Sequence, residues 1–145
     1  MEYTEDMEKD LLQDNVNWLF VSASLRAKKG FIRLAEELEL SVIQVFALCF
    51  LQPKKPMPMK EMASLLMCEP SNVTGIIDKL FARSYIAREE NPKDRRIKMI
   101  SLTDEGTELR QKIVKNIVDY KSDRLERLTP AEQQDLKKMM LKILA

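Results

Sequence analysis

The 145-residue sequence predicts a mainly α-helical chain that carries one small β-hairpin. Three observations predict it. Apolar residues recur three and four positions apart through most of the chain, the period at which a helix buries one face. Two segments, Ser41-Val-Ile-Gln44 and Thr129-Pro-Ala-Glu132, set a hydroxyl three positions before Gln or Glu, the capping box that satisfies the first free N–H groups of a helix. Only between Tyr85 and Leu102 does the pattern change. There β-branched and apolar runs at 85–88 and 97–102 flank the charged stretch 89–96, Glu-Glu-Asn-Pro-Lys-Asp-Arg-Arg.

From the N-terminus, Leu12, Val16, Leu19, Ala23 and Ala27 mark one long helix over residues 5–36, with Gly30 as its point of disturbance. Ser41 caps a second helix whose apolar stretch reaches Leu51 and is largely buried. Three prolines in residues 52–59 fix φ and remove donors, so this connector holds no helix or central strand. A short helix over Lys60–Met67 turns Met62, Ala63, Leu65 and Leu66 inward and is ended by Pro70. Residues 71–81 form a further helix with Val73, Ile76, Ile77, Leu80 and Phe81 on one face. Its other face carries Ser71, Asn72, Thr74, Gly75, Asp78 and Lys79, with Ser71 suited to cap it. After a two-stranded hairpin with a long charged tip, Thr103 opens a helix to about Arg127, buried along Leu109, Ile113, Ile117 and Tyr120. The Thr129 box begins the last helix, striped by Leu136, Met140, Leu141 and Leu144.

Composition bounds the function. The length fits one domain with its own core. No apolar run reaches the ~20 residues that a membrane span needs. The acidic N-terminus (Glu2, Glu5, Asp6, Glu8) is unlike a signal peptide, so no membrane association and a cytoplasmic setting are expected. There is no histidine, and Cys49 and Cys68 have no partners of metal-ligand spacing. No metal site, cofactor or enzymatic activity is therefore expected. Cys49 sits in an apolar run and reads as a core thiol. Cys68 lies in the turn before the helix at 71–81 and reads as unreactive, with redox sensitivity as the alternative.

The charge is near balance overall, at +1, but unevenly placed. Ten basic and six acidic residues between Lys54 and Lys98 leave 14 basic and 17 acidic elsewhere, so the middle of the chain is the basic part.

Two short helices across a tight turn, followed at once by a hairpin, are the order of a winged helix-turn-helix. A major groove admits one helix, whose N-terminal side chains reach base edges. Ser71, Asn72 and Thr74 are short hydrogen-bonding residues at that end, and Asn72 suits bidentate contact with adenine. On the hairpin, an arginine can enter an A·T-rich minor groove, and Asp94 can hold Arg96 in one rotamer. Lys60, Lys79, Lys93 and Arg95 supply further cations.

The runs Met59-Lys-Glu-Met-Ala-Ser-Leu-Leu66, Pro70-Ser-Asn-Val-Thr-Gly-Ile-Ile-Asp-Lys-Leu80, Ile86-Ala-Arg88, Asn91-Pro-Lys-Asp-Arg-Arg96 and Ser101-Leu-Thr-Asp-Glu-Gly106 resemble the MarR family, in its order and spacing. The likeness extends upstream to Leu40-Ser-Val-Ile-Gln44 and downstream to Leu128-Thr-Pro-Ala-Glu132. It implies a winged helix-turn-helix over about 41–103, flanked by dimerisation helices over about 5–36 and 104–145. It also implies a homodimeric transcriptional regulator, a repressor or activator, that binds double-stranded DNA at a palindrome and responds to a small aromatic or phenolic ligand or another signal. Ser71, Asn72 and Thr74 would then meet bases and phosphates, and Asp94 and Arg96 would match the family's wing pair. Three residues depart from the pattern: Gly75 replaces a common contact residue, Ser84 the usual helix-ending glycine, and Lys60 the usual capping hydroxyl. A winged-helix protein-interaction module without DNA binding and a cysteine-based redox regulator are the alternative functions.

Overall fold

The computed structural model describes residues 11–145, so the predicted helix start at Glu5 lies outside the described residues. The long first helix is interrupted at Asp14–Asn15. There Asn15 Oδ1 accepts from the Trp18 N–H at 2.9 Å, an N-cap contact that starts a new helix. Helix α1 runs from Val16 to Glu37 and passes through Gly30 unbroken. Gly30 instead provides a notch for the Tyr120 ring, whose atoms would lie 2.9–3.1 Å from a Cβ at that position.

Helix α2 (Val42–Phe50) opens with the expected reciprocal box, Ser41 Oγ accepting from Gln44 N–H and Gln44 Oε1 from Ser41 N–H. There follow β1 (Met57–Pro58), α3 (Met59–Leu65), α4 (Pro70–Ala82), β2 (Ile86–Asn91), β3 (Asp94–Leu102) and α5 (Asp104–Asp119). A 3-10 turn at Leu125–Arg127 leads into α6 (Pro130–Leu144), which the Thr129–Glu132 box caps.

Several local expectations are corrected. The connector contributes a third strand: β1 pairs antiparallel with β3 through Met57 opposite Ile100 and Pro58 opposite Met99, in the order β1-β3-β2. A proline is tolerated because β1 is an edge. The charged tip is mostly strand, since β2 and β3 run to a two-residue turn at Pro92–Lys93. Pro70 is the first residue of α4, where its missing N–H costs nothing and its fixed φ suits the helix. Ser71 thus lies inside the first turn and is not the cap. Leu65 and Phe81, expected inward, are 41% and 49% exposed. Helix α5 stops at Asp119, well before Arg127, and Tyr120 is exposed.

Helices α1, α3 and α4 each end on a left-handed residue that is not glycine: Glu39, Met67 and Ser84, with φ of 54°, 52° and 61°. Each ending is closed by a long-loop bond, Leu40 N–H to Ala35 O, Cys68 N–H to Ala63 O and Tyr85 N–H to Leu80 O, at 2.8, 3.0 and 3.1 Å. A side chain in that conformation costs about 1–2 kcal/mol, offset here by the closed bonds and by Leu40, Cys68 and Tyr85 packing into or against the core.

The chain divides into two compact units, Phe31–Val118 on one hand and the residues up to Gly30 with Asp119–Ala145 on the other. The first holds the core: Val45, Leu48 and Leu51 from α2 and its end, Met62 from α3, Val73, Ile77 and Leu80 from α4, Ile86 and Ile100 from the sheet, Ile113 from α5. Phe31, Phe46 and Phe50 stack beside it, with centroids 5.1 and 6.3 Å apart. Among the described residues the second unit buries none of its side chains fully. It exposes Trp18, Leu19, Phe20, Leu25, Leu125, Met139, Leu141 and Leu144.

One close approach ties the first unit together. A Cβ on Gly106 would lie 1.9 Å from the Tyr85 carbonyl oxygen, whereas one on Gly75 would meet nothing within 4 Å. The same substitution therefore has opposite outcomes at the two sites. Gly106→Ala should lose about 3 kcal/mol or more in urea unfolding, by forcing backbone apart. Gly75→Ala should gain up to about 1 kcal/mol from helix propensity.

Candidate nucleic-acid interface

Burial of Val73, Ile77 and Leu80 fixes the rotation of α4, so Ser71, Asn72, Thr74, Gly75, Asp78 and Lys79 all face outward. These polar positions are not equivalent. Thr74 Oγ1 donates to the Pro70 carbonyl at 3.2 Å, which engages the hydroxyl within the helix. The Asp78 carboxylate is ion-paired with Arg88 of β2, whose guanidinium also lies 4.8 Å above the Phe81 ring. Ser71 and Asn72 stand exposed in the first turn, and Lys79 is exposed in the last.

Arg83, at the end of α4, is spent on structure. Its guanidinium donates to the Glu39 and Leu38 carbonyls at 2.7 and 3.4 Å and lies 5.1 Å above the Tyr85 ring. It satisfies carbonyls that the end of α1 leaves open. Sequence reading had no signal for this role, because the partners are more than forty residues away. The Asp78–Arg88 pair was equally hidden.

The wing takes its form from a register break. Glu90 pairs with Lys98 and Asn91 with Asp94, so Arg95, Arg96 and Ile97 have no partners on β2 and bulge from the ladder. Within that bulge Asp94 grips Arg96: Oδ1 accepts from Arg96 N and Nε at 3.1 and 3.0 Å, and Oδ2 from Nη2 at 3.0 Å. The forked pair fixes the guanidinium while leaving the side chain 91% exposed. The contact holds the Asp94 carboxyl below its ordinary range and raises Arg96 further. Lys93 and Arg95 stand exposed at the tip, where the Asn91 carboxamide accepts from Lys93 N–H at 2.9 Å.

Between α4 and the sheet lies an open concavity of about 1020 Å³, bordered by Lys60, Thr74, Arg88, Arg96 and Lys98. The structure thus brings Lys60, Thr74 and Arg96 to one recess, with Ser71, Asn72 and Lys79 on the exposed face of α4 and Lys93 and Arg95 at the wing tip. A helix with a free N-terminal face beside a protruding, braced arginine is chemically suited to two adjacent grooves of a duplex. Among the described residues, no group of three or more Cys, Asp or Glu side chains is placed to hold a metal ion.

A family model described as MarR family matches residues 40–98. The HTH-type transcriptional regulator YkoM of Bacillus subtilis (strain 168) is 30% identical over 109 residues, covering 75% of this chain and 69% of that protein. The chain belongs to the MarR family. Wild-type apo MarR from E. coli shares the fold of this MarR-family regulator at a TM-score of 0.78 and 19% identity, over 90% of this chain and 97% of that one. The transcriptional repressor CouR, solved bound to a 23-mer DNA duplex, superposes at a TM-score of 0.75 and 25% identity, over 92% and 94%. No described helix of the regulator is long and apolar enough to cross a membrane.

The Asp94–Arg96 grip has a direct signature. Because the folded-state pKa of Asp94 is depressed, the pair is present at neutral pH and is lost only as pH falls through that lowered value. In an NMR titration the Asp94 carboxyl should titrate below the ordinary aspartate value of about 3.9, and Arg96→Ala should return it there. An ordinary midpoint in the unmodified protein would mean that the fork does not hold in solution.

Proposed function

We propose that this regulator is a cytoplasmic, homodimeric, sequence-specific repressor that binds a palindromic DNA operator. One observation carries the reading: the exposed first turn of α4 and the braced Arg96 flank a single concavity. In this reading Ser71, Asn72 and Thr74 enter the major groove, and Arg96, oriented by Asp94, enters the adjacent minor groove. Lys60, Lys79, Lys93 and Arg95 neutralise phosphates. The CouR complex with duplex DNA supports both the partner and the sign of regulation, on a related fold.

Dimerisation follows from the terminal unit. Each large apolar side chain that it exposes would gain about 1.5–3 kcal/mol on burial, and a second copy supplies the same surface in return. The winged region, about 41–103, would then be presented twice, with half-sites about one helical turn apart.

A small aromatic or phenolic ligand is the preferred signal. Arg110 Nε is buried without a hydrogen-bond partner, and its Nη2 donates to the Cys49 carbonyl at 3.4 Å, next in the chain to the stacked Phe50. Oxidation is less suited to these cysteines. Burial pushes the Cys49 thiol up against the opposing pull of Arg110, and the half-buried Cys68 Sγ donates to the Leu66 carbonyl at 3.2 Å.

Selection from a random duplex pool should recover an inverted repeat, with affinity falling steeply as salt rises. Arg96→Ala should weaken binding about tenfold with fold and dimer intact. Recovery of no motif would leave a protein-interaction module as the better reading. In light scattering at micromolar concentration the chain should have twice its 16.9 kDa mass. A monomer there would remove the terminal unit from the mechanism.

A further inference from the structure

The hydrogen-bond partners on α4 bear on which bases it can read. Guanine is recognised in the major groove by a guanidinium or ammonium, and cytosine by a carboxylate. Within α4 both kinds of group are withdrawn or lie beyond its first two turns, and the exposed carboxylate of Glu69 stands at the N-cap, outside the helix. The first two turns of α4, from Pro70 to Ile77, contain no basic residue. Arg83 is held by the Leu38 and Glu39 carbonyls, and Arg88 and Asp78 are held by each other. Lys79 lies four residues beyond Gly75, about 6 Å further along the axis, at the end of the helix that meets the phosphate backbone.

What remains on the reading face is suited to the other base pair. Asn72 offers a carboxamide one turn before Gly75. Thr74 gives its hydroxyl proton to the Pro70 carbonyl, which leaves its γ-methyl and an acceptor oxygen, but no donor, to offer a base. Beside it Gly75 has open space where a side chain would stand, so a base edge can approach the bare helix backbone there.

Resting on the DNA-reading proposal above, we infer that the major-groove face of α4 is built for A·T pairs. Asn72 hydrogen-bonds an adenine, and the Thr74 methyl meets a thymine C5-methyl that the bare backbone at Gly75 leaves room for. Gly75 is then a specificity-determining residue through the side chain it lacks.

The test uses the full chain and the half-site recovered by selection from a random duplex pool. Each thymine in that site is replaced in turn by deoxyuridine, which removes only the C5-methyl. A replacement in one half-site alone should weaken the unmodified protein about fourfold, the worth of one buried methyl-sized group. Thr74→Ser keeps the hydroxyl and should be indifferent to the same replacement. Gly75→Arg should lose the thymine preference and select guanine there by about tenfold. The inference is overturned by a half-site whose helix-contacted positions are G·C. It is equally overturned if no deoxyuridine replacement changes affinity, or if Thr74→Ser retains the full penalty. Recovery of no motif at all is a distinct failure, since it removes the DNA-reading proposal itself.

Discussion

Four residues from distant parts of the chain meet where α4, both bases of the wing and the start of α5 converge. Ser84 ends α4 in a left-handed turn, and its carbonyl accepts from the Thr103 hydroxyl. Tyr85 begins the wing, and its carbonyl accepts from Thr103 N–H at 3.2 Å while lying against the bare Cα of Gly106. Thr103 then turns the same hydroxyl oxygen to cap α5 through Gly106 N–H at 3.0 Å. One threonine hydroxyl thus donates to the end of one helix and accepts from the start of another. The end of α4, the base of the wing and the start of α5 are joined at this contact, and only a residue without a Cβ admits it.

Charge is distributed on this surface by subtraction. Several cations that sequence reading would count toward a nucleic-acid interface are consumed by the fold: Arg83 at the end of α1, Arg88 on Asp78, Lys98 on Glu90. Arg96 is paired too, but its partner orients it without covering it. The distinction between a charge that stabilises and a charge held ready lies in this exposure. Surface pairs of this kind add little stability, so the Asp94 fork is better understood as a geometric device.

Much of the fold was legible in the sequence because its signals are local. Two capping boxes, the apolar spacing of Val73, Ile77 and Leu80, and the switch to β-branched residues near Tyr85 and Ile97 each act over a few residues, and each located its element. The misses have a shared cause. Pro58 in a strand, the break at Asn15 and the early end of α5 depend on partners or caps whose effect overrides propensity. Gly30 looked like a defect in a helix because its occupant, Tyr120, is ninety residues away. In the candidate site the residue types and their order were readable. Which of them are free was not, because hydrogen bonds such as Arg83 to Glu39 follow from the tertiary arrangement alone.

The tethers on α4 also have a mechanical meaning. At its C-terminal end Arg83 clasps the closing turn of α1, and at mid-length Asp78 clasps β2 through Arg88. A helix pinned at two levels to two different neighbours has no axis left about which to swivel alone. The last turn of α1 is therefore coupled to α4 both by the Arg83 clasp and by the core that Leu34, Ala35 and Leu40 share with Val73, Ile77 and Leu80.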